Sequence, residues 1–215
     1  MRRHGSFVLG VALLALTATC VRSQELLDQI AARVESDIIL LSEVRTLSRY
    51  QMLVDGKAES DAAILDRLID QWIVRSEADT ARFPHPTDVE IAHGVEHLQA
   101  SFASPDEYEG RKKQSELSDK QIRRMVAEQL YLSNYLDSRF RASIQIAESD
   151  IEQFYETRVV PRAESRGQTP PTLDAARGFI QEALVQRAIN VQANSWLKES
   201  RARLRVEKLL NESPK

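Results

Sequence analysis

The sequence holds one cysteine, seven glycines and seven prolines among 215 residues, and only 6% of its residues are aromatic. Each scarcity closes a route. So few turn formers cannot supply the tight turns that a sandwich or barrel of many short strands needs, so the composition points to helices. The glycines also form no phosphate-cradling loop, no dinucleotide fingerprint and no G-x-S-x-G elbow. A single cysteine, Cys20, closes no disulfide within the chain and builds no cysteine-rich metal site. Charge of one sign is missing too: 29 Lys and Arg stand against 32 Asp and Glu, for a net charge of -3 with no long run of either. That balance is not the footprint of a nucleic-acid binder.

Long hydrophobic runs are almost as scarce. The longest, Phe7 to Leu16, follows Arg2, Arg3 and His4 and precedes a zone of small residues, the arrangement of a secretory signal peptide. It is about half the ~20 residues that a membrane-spanning helix requires. Cleavage is expected after Ser23, which makes residues 1–23 a signal peptide and leaves the mature chain without a cysteine. A rival reading makes Cys20 a lipid-modified N-terminus, but Thr17, Ala18 and Thr19 lack the Leu and the Gly or Ala that lipoprotein signals place before the cysteine. Removal of Arg2, Arg3 and Arg22 leaves 26 basic residues against 32 acidic ones, a charge that discourages adhesion to an anionic membrane.

What is present is material for one medium domain or two small ones, with 42% hydrophobic and 28% charged residues. Ile30–Val34 and Ile38–Leu41, separated by the polar turn Glu35-Ser36-Asp37, predict a small hairpin. Ser42 is expected to cap a helix that ends at Asp55-Gly56-Lys57. From Ser60 to Phe83, Ile64, Leu65, Leu68, Ile69, Trp72 and Ile73 recur at three- and four-residue spacing, the strongest helical signal in the chain. Thr87 with Glu90, Ser104-Pro105, and Ser118 with Gln121 each mark a further helix start. The last of these helices runs to Phe140 with more than one apolar stripe, so it either sits centrally in a bundle or shows a stripe to a partner. Ser143 to Ile146 is β-tolerant, and Glu148 leads a short helix to about Arg158. Residues 160–172, with Pro161, Gly167, Pro170 and Pro171, form a linker between a helical region at 24–159 and a segment at 173–215. That segment reads as a long amphipathic helix to Arg201 and a short strand, Leu204 to Leu209.

One string looks catalytic. His93-Gly94-Val95-Glu96-His97 fits the H-x-x-E-H pattern of inverted zinc peptidases. On a helical wheel Ile91, Val95, Leu98 and Phe102 gather on one side while His93 and His97 fall well away from them, so the histidines are expected on a solvated face with no third ligand. Paired acids such as Asp106/Glu107 and Asp150/Glu152 sit at helix starts, where the helix dipole accounts for them. No catalytic, metal or cofactor residue is assigned.

The order of elements resembles the SurA family of periplasmic chaperones. Gln29-Ile30-Ala31-Ala32-Arg33-Val34 with Asp37 to Val44 is similar to that family's opening hairpin and first helix, and Leu65-Asp66-Arg67-Leu68-Ile69-Asp70-Gln71 to its second helix. Trp196 to Ala202 with Val206-Glu207-Lys208-Leu209 is similar to its last helix and closing strand. The resemblance implies a mainly α fold: a helical bundle like the SurA N-terminal domain, completed by the long C-terminal helix and a small hairpin with a terminal strand pairing to it. Where family members carry a parvulin domain of ~100 residues, this chain has only residues 160–172, so the resemblance implies a chaperone module without prolyl isomerase activity. Implied partners are unfolded polypeptides, above all outer-membrane protein precursors in the periplasm. Tyr131, Tyr135 and Phe140 are the aromatic candidates for client contact. The alternative is a non-catalytic assembly subunit that docks on one folded partner in the cell envelope.

Overall fold

The computed structural model describes residues 28–210; the signal-peptide and Cys20 readings lie outside them. The chain opens with strands β1 (Ile30–Val34) and β2 (Asp37–Leu40), joined through Glu35, whose φ of 51° closes the turn. Helices α1 (Leu41–Asp55), α2 (Asp61–Thr80), α3 (Asp88–Ala100), α4 (Pro105–Ser115) and α5 (Asp119–Phe140) follow. A 3-10 turn at Arg141–Ser143 leads to α6 (Glu148–Phe154), a π segment (Tyr155–Val159) and α7 (Val160–Glu164). The long α8 (Leu173–Arg203) and strand β3 (Val206–Lys208) complete the fold. The architecture is mainly α with one small antiparallel sheet, ordered β2-β1-β3, so the chain's last strand pairs with its first.

The helix starts follow their caps. The Thr87 hydroxyl accepts from the Glu90 N–H at 3.3 Å while the Glu90 carboxylate accepts from the Thr87 N–H at 2.7 Å, and Ser118 and Gln121 reciprocate in the same way. Each such pair satisfies two of the donors that a helix leaves open. Ser42 does not cap α1 as expected. The helix begins two residues earlier, at Leu41 with Leu40 in the cap position, its open donors met by Glu43, which accepts from the Leu40 N–H at 2.7 Å, and by Asp28, which accepts from the Ser42 N–H at 3.2 Å.

The helix after residue 148 also outruns expectation. It passes through Pro161 to Glu164, so the irregular connection covers residues 165–172 rather than 160–172. Proline lacks a donor and is tolerated in a first helical turn. The π segment resets the ladder just before it, with the Val160 N–H donating to the Tyr155 carbonyl. Of the β-tolerant stretch Ser143 to Ile146, Ser143 joins the 3-10 turn and the rest forms no strand.

Four apolar clusters hold these elements. Ala31, Val34 and Ile39 of the sheet pack on Val44 and Leu47 of α1 and on Ile64, Leu65 and Ile69 of α2. Burial of side chains such as Ile64 and Ile69, both fully excluded from solvent, contributes about 1.5–3 kcal/mol each. A second cluster joins Tyr50 and Leu53 of α1, Tyr108 of α4 and Ile122 and Val126 of α5, with Val95 and Leu98 of α3 and Phe102 just beyond it leaning on the cluster. A third joins Val74 and Ala78 of α2, Tyr131, Leu132 and Tyr135 of α5 and Trp196 and Leu197 of α8. The fourth stands apart: Ile151, Ala176 and Ile180 tie α6 to the first half of α8.

The two ends of α8 therefore serve different bodies. Its C-terminal half closes the main bundle, where Arg201 binds Asp66 and, at 3.4 Å, Asp70, and Lys208 of β3 reaches Asp66 at 2.7 Å. Burial raises the Asp66 carboxyl's pKa, but hydrogen bonds from Lys208 and Arg201 outweigh it and leave the group below its usual range. At the middle of α8, Arg141 bridges Asp137 of α5 and Glu182 at 2.6 and 2.7 Å.

Candidate functional site

α5 is the floor of the site. Tyr131 and Tyr135 are buried on one side of it, against α2 and α8. On another side Ile122 and Val126 are buried against α1 and α4, and Val126, Leu130, Leu132 and Leu136 border an open groove of about 960 Å³. Residues 126–136 span roughly 15 Å of helix, which sets the groove's length.

One wall is α3 and the other is α2 with the end of α8. Its aliphatic lining includes Val74, Val89, Leu98, Leu130, Leu136 and Leu197. Val89 is 74% exposed, so an apolar side chain faces solvent at the groove's edge. Polar side chains line it as well, among them Gln71, Glu90, His93, His97, Ser133 and Asn134. The Tyr50 hydroxyl donates to Gln129 Oε1 at 2.9 Å, and burial, with Tyr108 nearby, pushes its pKa up to about 12. Asp70 lines the α2 wall, and burial pushes its carboxyl up as well, against the pull of Arg201.

Gly94 sets the width. A Cβ there would stand 2.7 Å from Val126 Cγ1 and 3.0 Å from Leu130 Cδ1, so α3 approaches α5 more closely than any other residue would permit. This contact revises the reading of the histidine string. His93, Glu96 and His97 are exposed, as the wheel required. The histidines nonetheless flank Gly94 on the groove wall instead of facing open solvent away from the bundle. The wheel weighted the aliphatic side chains of α3, none of which is buried, and gave no weight to a glycine as a packing surface. Among the described residues no group of three or more metal-capable side chains converges.

The three aromatic candidates lie elsewhere. Tyr131 and Tyr135 are 3% and 6% exposed in the third cluster, where burial leaves them no surface to offer. The Tyr131 hydroxyl donates to Asp79 Oδ1 at 2.7 Å and Arg139 donates to the Tyr135 hydroxyl at 3.1 Å. Burial and the Asp79 hydrogen bond push the Tyr131 phenol up to about 12. Phe140 is half-buried, edge-on to Trp196 with ring centres 6.1 Å apart. Aromatic placement in sequence marked the core; the groove is made by the aliphatic residues between, and Gly94 inside a capped helix was the signal that pointed there.

No protein-family model matches this sequence, and no curated protein matches it.

Proposed function

We propose that the chain is a holdase-type chaperone of the periplasm, without isomerase activity, that binds unfolded secreted polypeptides and chiefly outer-membrane protein precursors. The observation that carries this reading is the open aliphatic groove on α5, walled by α3 on one side and by α2 and α8 on the other. Strands of outer-membrane barrels alternate apolar and polar residues, so an unfolded precursor offers rows of apolar side chains to a groove about 15 Å long. The binding needs no directional chemistry, because apolar burial is non-directional and scales with area. The resemblance to the SurA family in element order supports the same reading, as does the pairing of the last strand with the first. No residue is given a catalytic role, and residues 1–23 would direct export and then be removed.

The test is light scattering from a urea-unfolded outer-membrane β-barrel protein diluted into buffer with the chain from Gln24 onward. Suppression at near-stoichiometric ratios is expected. A folded chain that leaves scattering unchanged, yet pulls down one folded envelope protein, would replace this reading with that of a dedicated assembly subunit.

A further inference from the structure

The small outlying body formed by α6, the π segment, α7 and the first half of α8 carries a second surface. Three shallow pockets run along its seam and share Phe154 and Arg158, so they form one continuous trough. Arg158, Arg162 and Arg166 follow one another along one side at four-residue spacing, and Arg187 of α8 faces them from the other. All four are exposed. Neighbouring arginines are neutralised: Arg141 by Asp137 and Glu182, Arg177 by Glu148 and Asp174. The four trough arginines form no ion pair with any acid among the described residues, and Asp150, the one carboxylate lining the trough, binds none of them. Phe179, 72% exposed, stands at the same seam.

Four unpaired guanidinium groups in a chain whose net charge is -3 are a local reversal of sign, and like charges held together raise one another's affinity for an anion. Arginine binds carboxylates through two parallel N–H donors and also stacks on aromatic planes. The trough is concave and apolar at its base, through Phe154 and Leu184. A flat bilayer cannot enter it; an extended chain can. We propose that this trough binds acidic, extended polypeptide segments, in which Asp or Glu side chains engage the arginines and intervening apolar side chains rest on Phe154 and Phe179. The site is separate from the α5 groove and stands or falls independently of it.

The test uses the protein purified after export and a fluorescein-labelled synthetic peptide that alternates Glu with Leu and Phe, followed by anisotropy. Binding is expected, with affinity falling as salt shortens the screening length from about 10 Å at 0.1 M to about 3 Å at 1 M. The same peptide with Lys in place of Glu should not bind. Arg158→Gln, Arg162→Gln, Arg166→Gln and Arg187→Gln, all at exposed positions, should each weaken binding by up to about fivefold. All four together should abolish it with unchanged circular dichroism and unchanged suppression of client scattering. Equal binding of the Glu and Lys peptides, or full binding by the quadruple variant, would overturn the proposal. So would binding to phosphatidylglycerol vesicles with none to the acidic peptide.

Discussion

Replacing Gly94 by alanine sets two effects of known sign against each other. Alanine gains about 1 kcal/mol over glycine inside a helix. Against that, the new methyl would lie 2.7 Å from Val126 Cγ1 and 3.0 Å from Leu130 Cδ1, well inside the 3.5–4.0 Å of a favourable carbon contact. Val126 is β-branched and 4% exposed, so it cannot swing aside. Overpacking of this kind costs about 1–3 kcal/mol, which leaves Gly94→Ala between neutral and about 2 kcal/mol destabilised. The helical glycines Gly110 and Gly178 supply the control, because a Cβ at either meets nothing within 4 Å. Urea denaturation should therefore show Gly110→Ala and Gly178→Ala gaining up to about 1 kcal/mol while Gly94→Ala gains nothing. Trimming the obstacle with Val126→Ala should restore the helix gain at Gly94, a coupling of about 0.5–2 kcal/mol in the double-mutant cycle. A Gly94→Ala protein stabilised as much as the two controls, with no coupling to Val126, would refute the close approach of α3 to α5 and the groove geometry built on it.

Tyr131→Phe should cost about 0.5–1.5 kcal/mol in denaturant unfolding through loss of its hydrogen bond to the exposed Asp79, and it should leave client suppression unchanged because the ring is buried; lost suppression in a protein of normal stability would return Tyr131 to the binding surface. The acid limb of stability should depend on Arg141. Its hydrogen bonds hold the Asp137 carboxyl below the usual range and the exposed Glu182 at about 2. Their pKa values are lower folded than unfolded, so the stabilisation is complete above the unfolded carboxylate values near pH 4 and is lost as pH falls through the folded ones. Asp70 has the opposite sign, being raised by burial, so its protonation favours the folded state on mild acidification. Denaturant midpoints should stay level or rise slightly from pH 7 to about 5 and then fall, and Arg141→Ala should flatten the fall; an unaltered acid limb in that variant would contradict the role given to the bridge.

Much of the fold was legible because its signals are local. The Thr87, Ser104 and Ser118 caps each start a helix where the side-chain oxygen predicts it, and the terminal strand pairs with the opening hairpin as the family resemblance implied. Departures occur where a distant or non-standard partner decides. Asp28, fourteen residues away, takes the capping role expected of Ser42, and the π segment lets the helix run through Pro161. The candidate site was less legible. Periodicity reports that a helix face is apolar but not whether a neighbour covers it, so Tyr131 and Tyr135 went to the core while Leu130 and Leu136 of the same helix line the groove. The arginine trough was hidden for another reason: net charge averages over the chain, and only the fold shows which arginines find an acid.

The central claim is that the α5 groove holds unfolded chains, and Val89 tests it most directly because it lines the groove yet is 74% exposed. Scattering of a urea-unfolded outer-membrane β-barrel protein should be compared with the wild-type chain and with Val89→Glu, after both are shown to melt alike. Wild-type suppression near stoichiometry, with a several-fold excess of Val89→Glu needed for the same effect, is the predicted result. Equal suppression by the two chains, or none by the folded wild type, would contradict it.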